Sequence, residues 1–399
     1  MLFLNLLLLS LAGLLLIPVL VVFGECALAL LPLPTARRLR ERREHPRTAV
    51  LMPAHNESIG IGAAIATILP QLQAGDRLLV VADNCTDNTA EVAYSAGAEV
   101  IERHNSDLRG KGYALDFGLQ HLAQNPPEVV VMADADCWMD AGALSEIARL
   151  SIATRRPVQS VYLMEPPPRH SPASAVSSLA FLVKNQVRLL GLSRLGMPSL
   201  LTGTGMAFPW EVICQSPLAS GNIVEDMQLG LDLAIAGHPP LFCPTAHVVG
   251  LLPARQTSAD SQRTRWEHGH LHTLITQVPR LLQEGIRQGR IDLLAIALDL
   301  AVPPLSLLVM VWGLLLGLSA IAVWLGAAVF PAALLVAQGC LLLGAISGAW
   351  VRFGMDLIPA RALLSIPLYI LHKIPRYLAF PSRRQTEWIR TDRESEARS

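Results

Sequence analysis

The sequence predicts an α/β domain built on a central, mostly parallel sheet and accompanied by transmembrane helices. Three observations carry that expectation. Strand-like apolar runs alternate with helix-like segments between residue 48 and about residue 275, the pattern of a parallel sheet covered on both faces. Two long stretches, Leu6 to Gly24 and Leu300 to Val351, contain no charged residue. The apolar fraction, 52% with a mean hydropathy of +0.41, exceeds that of an ordinary soluble enzyme.

The first uncharged stretch is long enough to cross a bilayer as a helix rising about 1.5 Å per residue. A cleaved signal peptide is the competing reading. The segment lacks a basic n-region, however, and Arg37, Arg38, Arg40, Arg42, Arg43 and Arg47 follow at once, which resists translocation. The same arginines place the chain from residue 37 onward on the cytoplasmic side. The second stretch has room for two crossings, with Gly326 and Pro331 near the turn, and returns the chain to the side where Lys373, Arg376, Arg383, Arg384 and Arg390 agree. Ala362 to Leu371 is too short to span and is interrupted by Pro367, so it is expected in the interface. The predicted organisation is a transmembrane helix over 1–34, a basic linker over 35–47 and the α/β domain over 48–275. An amphipathic interfacial segment over 276–299, a transmembrane hairpin over 300–351, and an interfacial helix with a cytoplasmic tail over 352–399 complete it. Three spans with the N-terminus outside make this a multi-pass protein of the inner (cytoplasmic) membrane with its α/β domain in the cytosol.

Lys and Arg total 32, as do Asp and Glu, so no charge excess points to nucleic acid. The six cysteines (Cys26, Cys85, Cys137, Cys214, Cys243, Cys340) show neither a C-x-x-C pair nor metal-ligand spacing and read as free thiols of a reducing compartment.

Within the α/β domain, "TAVLMPAHNE" is a β-type run ending in polar residues, followed by the helix-like "GAAIATILPQL". The strand "DRLLVVADNC" comes next, then a helix opening at "DNTAEVAYSAG" with Asp87 as its expected N-cap. "AEVIER" reads as a third strand, "GYALDFGLQHLA" as a helix and "EVVVMADAD" as a fourth strand. In such sheets ligands bind beyond the carboxyl ends of the strands. The polar groups sit there: Pro53, His55, Asn56 and Glu57 after the first strand, Asp83 and Asn84 after the second, Asp134 and Asp136 after the fourth. Two carboxylates one residue apart repel each other. A cation between them gives the pair a purpose, and a hard divalent ion held by one or two carboxylates keeps positions free for substrate phosphates.

Two glycine patterns are decoys. Gly60 and Gly62 suggest a dinucleotide fingerprint, but Ile65 occupies the place of the third glycine and no strand directly precedes them. "RGKG" (Arg109 to Gly112) resembles a P-loop, yet Asn105 stands where the first glycine belongs and Gly112 where Ser or Thr belongs. A lysine between glycines ahead of a helix still suits a phosphate.

The ordered set "PAHNE", "ADNCTDNT", "RGKG", "DADCW", "VEDMQLG" and "QRTRW" resembles the inverting, membrane-bound family-2 glycosyltransferases, relatives of cellulose, hyaluronan and poly-N-acetylglucosamine synthases and ceramide glucosyltransferases. The resemblance covers roughly residues 48 to 275 and implies a GT-A-type nucleotide-sugar-binding domain. It implies that Pro53, Ala54, Asn56 and Glu57 line the nucleotide pocket, that Asp83 accepts from the uracil and ribose side, and that Lys111 faces the nucleotide. Asp134 and Asp136 match the D-x-D site for Mg²⁺ or Mn²⁺, with Asp136 the more direct ligand. Glu225 and Asp226 match the E-D motif, Asp226 as catalytic base. Gln262, Arg265 and Trp266 match Q-x-x-R-W, near diphosphate and acceptor.

Residue chemistry agrees with those roles. A metal ion is a Lewis acid for a departing diphosphate, Arg265 can clamp phosphate in two places, and Trp266 offers a face on which a sugar can stack. Glu225 and Asp226 read alone are also an ordinary acidic first turn of a helix. The glycine-rich "LTGTGMAFP" before them and Q-x-x-R-W after them favour catalysis. His268, His270 and His272 suggest a metal site, but only His268 and His272 share a helical face and no third ligand is evident, so the histidines are expected to line the acceptor entrance or face lipid headgroups.

The expected function is transfer of a sugar from a nucleotide-sugar donor, UDP-linked, to a lipid or polysaccharide acceptor. The partners are the donor, the acceptor and the bilayer, with no nucleic acid. A catalytically inactive, membrane-anchored nucleotide-sugar-binding protein is the alternative. The sugar, the acceptor and the product length are not encoded in these motifs.

Overall fold

The computed structural model describes residues 1–32, 45–166, 172–219, 224–253 and 256–380. The arginines at 37, 38, 40, 42 and 43 and those at 383, 384 and 390 lie outside the described residues, as does most of "MEPPPRH".

In chain order the elements are α1 (Leu2–Leu30), β1 (Thr48–Ala54), α2 (Ile61–Ile68), β2 (Arg77–Asp83), α3 (Thr89–Ser95), β3 (Glu99–Arg103), α4 (Lys111–Leu122) and β4 (Val129–Met132). There follow β5 (Cys137–Met139), α5 (Ala143–Thr154), β6 (Val158–Glu165), α6 (Pro172–Leu182), a π-helical turn (Val183–Arg188) and α7 (Leu189–Arg194). Next come β7 (Met206–Pro209), α8 (Trp210–Ile213), α9 (Glu225–Ile235), β8 (Leu241–Leu251), α10 (Gln256–Gln288) and α11 (Ile291–Leu300). The chain closes with α12 (Leu305–Trp324), α13 (Phe330–Ala349), a second π-helical turn (Trp350–Gly354), α14 (Ala360–Leu363), α15 (Ile366–His372) and α16 (Ile374–Ala379).

The described residues form two compact units. One contains residues 45–166, 197–219, 224–253 and 256–269; the other contains residues 1–32, 172–196 and 270–380. The first unit is built on one eight-stranded sheet in the order β3-β2-β1-β4-β7-β6-β8-β5. Strands β3, β2, β1 and β4 run parallel, as the alternating sequence predicts, and so do β6 and β8. Strand β7 is antiparallel to both of its neighbours, and β5 is antiparallel to β8. Residues 49–52 of β1 are fully buried, which is why that strand reads as an unbroken apolar run rather than an alternating one. Helix α4 lies directly on the sheet: a Cβ at Gly118 would stand 2.4 Å from Leu51 Cδ1, so any larger residue there would have to displace the Leu51 side chain.

One local expectation shifts. Helix α3 starts one residue later than predicted, with Asn88 at the cap position. Asp87 still supplies the acceptor, taking the Thr89 N–H at 3.0 Å, because an aspartate just ahead of a helix can reach a backbone donor two residues on.

The second unit holds three helices long and apolar enough to cross a membrane, Leu2–Leu30, Leu305–Trp324 and Phe330–Gly354. Gly326 takes a left-handed φ of 92° after α12, and Pro331 occupies the first turn of α13, as the turn between two predicted crossings requires. Polar side chains join these helices: Gln338 Nε2 donates to the Ala12 carbonyl at 2.9 Å and Trp312 Nε1 to the Leu335 carbonyl at 2.7 Å. Arg188, buried, donates from Nε to Glu25 Oε2 at 2.6 Å and also pairs with the Asp299 carboxylate. Next to that pairing, Gly191 allows α7 to touch the Glu25 backbone, where a Cβ would stand 2.0 Å from its carbonyl oxygen.

Candidate active site

The carboxyl ends of β1 and β2 are tied together by their own loops. Asn56 and Asn84 both adopt left-handed φ values, 55° and 51°, which asparagine tolerates better than most residues. Asn56 Oδ1 accepts the Thr86 N–H at 2.7 Å, the Glu57 N–H donates to Thr89 Oγ1 at 2.8 Å, and His55 Nδ1 donates to the Asp83 carbonyl at 2.7 Å. Pro53, Ala54, Asn56 and Glu57 therefore lie beside Asp83, as the motif order suggests. Asp83 itself is buried, and its Oδ1 takes Arg103 Nη1 at 2.6 Å and Asn84 Nδ2 at 2.9 Å. Arg103 in turn lies over the Tyr113 ring, 5.6 Å from its centroid, and reaches the Leu108 carbonyl at 2.8 Å.

A second group forms where β4 ends. Strand β4 stops at Met132, so Asp134 and Asp136 fall in the short link to β5. The Asp134 N–H donates to Thr204 Oγ1 at 3.0 Å, which anchors this link to the segment ahead of β7. Lys111, at the start of α4, pairs through Nζ with the Asp134 carboxylate and donates to the Gly203 carbonyl at 2.7 Å. Gly203 has a φ of 101°, and a Cβ built on it would stand 3.2 Å from Asp226 Oδ2. Lys111, Asp134, Gly203 and Asp226 thus meet at one point, although they come from four separate stretches of chain.

The electrostatics of that point follow from crowding. Burial pulls the Lys111 amine towards neutrality, and the carboxylates of Asp134, Glu225 and Asp226 more than offset it, so its pKa is raised. Desolvation pushes Glu225 up to about 7; Lys111 pulls it down and Asp226 pushes it further up. Burial lowers the pKa of Arg265, against the pull of Glu225, Asp134 and Asp226, which brings the Q-x-x-R-W arginine into the field of the same carboxylates. Gln262 is buried and its Oε1 has no hydrogen-bond partner among the described residues, while Trp266 is half-buried.

Asp134, Asp136 and Cys137 each place a donor atom within 4.8 Å of the other two. The Cys137 thiol donates to Asp136 Oδ1 at 3.4 Å. The two carboxylates are the hard oxygen donors that Mg²⁺ or Mn²⁺ prefers, so the donor set fits such an ion.

The histidine run behaves differently from expectation. His270 is buried and its Nε2 donates to the Val302 carbonyl at 3.0 Å, so it faces neither headgroups nor an entrance. Burial lowers its pKa to about 3, with Lys184 adding to the effect. His268 is also buried, and His272 alone of the three is exposed.

Sequence reasoning passed over Arg103, Cys137, Gly203 and Thr204 as site residues. Gly203 and Thr204 had a visible signal in the glycine-rich "LTGTGMAFP". Arg103 had none, because its partner lies twenty residues earlier on the neighbouring strand.

Residues 45–269, more than half of the chain, match the model of a family described as glycosyltransferase like family 2. An uncharacterized glycosyltransferase of Mycobacterium tuberculosis is 38% identical over 120 residues, 28% of this chain and 50% of that protein. A low-salt glycan biosynthesis hexosyltransferase of Haloferax volcanii is 34% identical over 109 residues, 26% of this chain and 24% of its own length. This chain therefore spans half or less of the curated relatives it matches. Among solved structures, a mannosyltransferase of Pyrobaculum calidifontis in complex with GDP-Man and Mn²⁺ aligns over 95% of this chain and 100% of its own, with a TM-score of 0.56 and 18% identity, a likeness of fold. With the sheet, the carboxylates at its edge and the family match in agreement, this chain belongs to glycosyltransferase family 2.

Proposed function

We propose that the chain is a membrane-anchored, inverting hexosyltransferase that moves a sugar from a nucleotide-sugar donor, UDP-linked, to a lipid or glycan acceptor. The observation that carries this reading is the meeting of Asp134, Lys111 and Asp226 around Gly203, at the carboxyl edge of the sheet. It gathers a metal-type carboxylate and a carboxylate from a separate segment near one ammonium group. The hexosyltransferase name of the Haloferax volcanii relative supports the hexosyl class, and the GDP-Man and Mn²⁺ complex of the Pyrobaculum enzyme supports a nucleotide-sugar donor with a divalent metal.

Asp134 and Asp136 would hold Mg²⁺ or Mn²⁺, which when bound supplies Lewis acidity to the departing diphosphate. The rest is the work of this chain's own groups. Asp83, fixed by Arg103, receives the nucleobase and ribose side, with Pro53, Ala54, Asn56 and Glu57 around it. Lys111 and Arg265 supply positive charge to the phosphates, Arg265 through a planar fork suited to two oxygens. Gln262 offers a buried acceptor, and Trp266 an apolar face for a sugar ring.

Inversion requires one direct attack by an acceptor hydroxyl, which is a poor nucleophile until a carboxylate takes its proton. That base must lie opposite the leaving diphosphate, so the metal carboxylates are unsuited to it. Asp226, on a different segment and in the first turn of α9, is the base. Glu225 beside it completes the acidic pair and helps keep Lys111 charged. The three long apolar helices anchor the catalytic unit, which faces the cytosol.

The test compares two variants in purified protein. Asp226→Asn should lose roughly 10²- to 10⁴-fold in turnover while still binding UDP and metal. Asp136→Asn should lose metal-dependent UDP binding as well, and excess EDTA should abolish transfer by the unaltered protein. Near-normal transfer by Asp226→Asn, or an equal loss of nucleotide affinity in the two variants, would overturn the assignment. A panel of labelled nucleotide sugars, with lipid-extractable label separated from polymeric label, identifies donor and product.

A further inference from the structure

We infer that Gln159 is a positioning residue for the candidate metal site, its side-chain amide holding the Thr202–Thr204 turn in the shape that serves both Asp134 and Lys111. The inference rests on the glycosyltransferase reading above and adds to it a residue that acts through others.

Strand β7 begins only at Met206, so the Thr202 N–H and the Thr204 carbonyl lie ahead of its ladder. Shielded backbone groups must then find partners elsewhere. Gln159, on β6 and fully buried, supplies both. Its Oε1 accepts the Thr202 N–H at 2.9 Å, and its Nε2 donates to the Thr204 carbonyl at 2.9 Å. Nε2 also donates to the Ser160 carbonyl at 2.9 Å. Turning the amide over would set its NH₂ against the Thr202 N–H and its oxygen against two carbonyls. One orientation satisfies all three partners.

Between the two anchored groups stands Gly203, with a φ of 101°, and Gly205 follows at 62°. A turn with two glycines has many shapes open to it, and the bonds from one fixed side chain select one of them. The selected shape is the one in use at the site. The Gly203 carbonyl accepts Lys111 Nζ at 2.7 Å, and Thr204 Oγ1 accepts the Asp134 N–H at 3.0 Å. Thr204 thus links Gln159 to the backbone of a metal-type carboxylate, and Gly203 links it to the lysine paired with that carboxylate.

The clamp is also neutral. Asp134, Glu225 and Asp226 already act on Lys111, and a charged side chain in place of Gln159 would add to that field from a buried position. An amide offers an acceptor and two donors without a charge. Groups that orient a metal ligand from behind typically set its affinity by roughly 10- to 100-fold.

The experiment uses the full chain in lipid nanodiscs. Mn²⁺ binding is read from the electron paramagnetic resonance of free Mn²⁺, with UDP and GDP in parallel, and the melting temperature is recorded for every sample. Gln159→Glu keeps the shape but turns the donor towards the carbonyls into a second acceptor. It should weaken Mn²⁺ binding in the nucleotide complex roughly 10- to 100-fold at about pH 8. As the pH is lowered to about 6 the new buried carboxyl takes up a proton and regains an O–H donor, so the deficit should shrink. Gln159→Met, which deletes the hydrogen bonds without adding charge, should show the same loss with no such recovery. Thr204→Val removes the hydroxyl that takes the Asp134 N–H; combined with Gln159→Met it should lose no more than the larger single loss, because both act through one turn. Ile147→Ala, a buried truncation on α5, should lower the melting temperature while leaving Mn²⁺ affinity unchanged. The inference is overturned if the Gln159 variants bind Mn²⁺ as tightly as the unaltered protein. It is overturned equally if Ile147→Ala weakens binding in proportion to its lost stability, or if the Gln159→Met and Thr204→Val losses multiply. If the unaltered protein binds Mn²⁺ with neither nucleotide, the glycosyltransferase reading fails and the role of Gln159 with it.

Discussion

Asp83 and Arg103 stand on adjacent parallel strands, both buried, with 2.6 Å between Oδ1 and Nη1. A buried carboxylate that loses its guanidinium partner keeps its desolvation penalty without compensation. Arg103→Met should therefore lower unfolding free energy by about 3 kcal/mol and weaken UDP binding, measured by denaturant titration and calorimetry; an unchanged denaturation midpoint would count against this role. Gly203 is constrained in two ways. Its φ of 101° is strained for any residue with a Cβ, and the space a Cβ would fill is 3.2 Å from Asp226 Oδ2. Gly203→Ala should destabilise the fold by about 1–3 kcal/mol and cut turnover by displacing either the Lys111 contact or Asp226. Melting temperature and kcat should fall together. Sequence reasoning nominated Asp83, Lys111, Asp134, Glu225, Asp226 and Arg265, and the structure brings the last five into one electrostatic cluster. It nominated neither Arg103 nor Gly203, because motif spacing records the order of residues along a chain and says nothing of which strand neighbours which.

Helix α10 carries the histidine run, which the sequence places at the acceptor entrance or against lipid headgroups. The buried His270, bonded to the Val302 carbonyl, shows otherwise for that position. Its pKa falls from 6.5 to about 3 in the fold, chiefly through burial. A base with a depressed folded pKa contributes stability above its unfolded pKa, and that contribution drains away as pH falls from about 6.5 towards 3. Detergent-solubilised protein should therefore lose melting temperature over that range more steeply than His270→Gln, which keeps a donor for Val302 but cannot take up a proton. Parallel profiles for the two proteins would remove His270 from the cause. Among the elements, β1, β2, β3 and β4 and the long apolar helices were legible from local pattern. The antiparallel insertion of β7 between β4 and β6 was not, since a fully buried short strand looks alike in either direction.

At the scale of the whole molecule, three helices are long and apolar enough to cross a membrane, and the topology proposed for them puts the N-terminus outside and the C-terminus in the cytosol. A reporter joined after Ser399 should be active only as a cytosolic enzyme; activity confined to the outer side would reverse the orientation. The pairing of Arg188 with Glu25 bears on how such a chain is made. The two residues are 163 positions apart, and Asp299 follows Arg188 by a further 111. At synthesis rates of roughly 5–20 residues per second, Glu25 leaves the ribosome some 8 to 30 seconds before its guanidinium partner exists. During that interval the first helix carries an unmatched acid one turn from its end, and the acid is matched only when the middle of the chain arrives. Assembly of the helices is then a late event timed by translation, and a nascent chain halted before residue 188 should hold α1 loosely enough to be extracted or cleaved where the finished protein resists both.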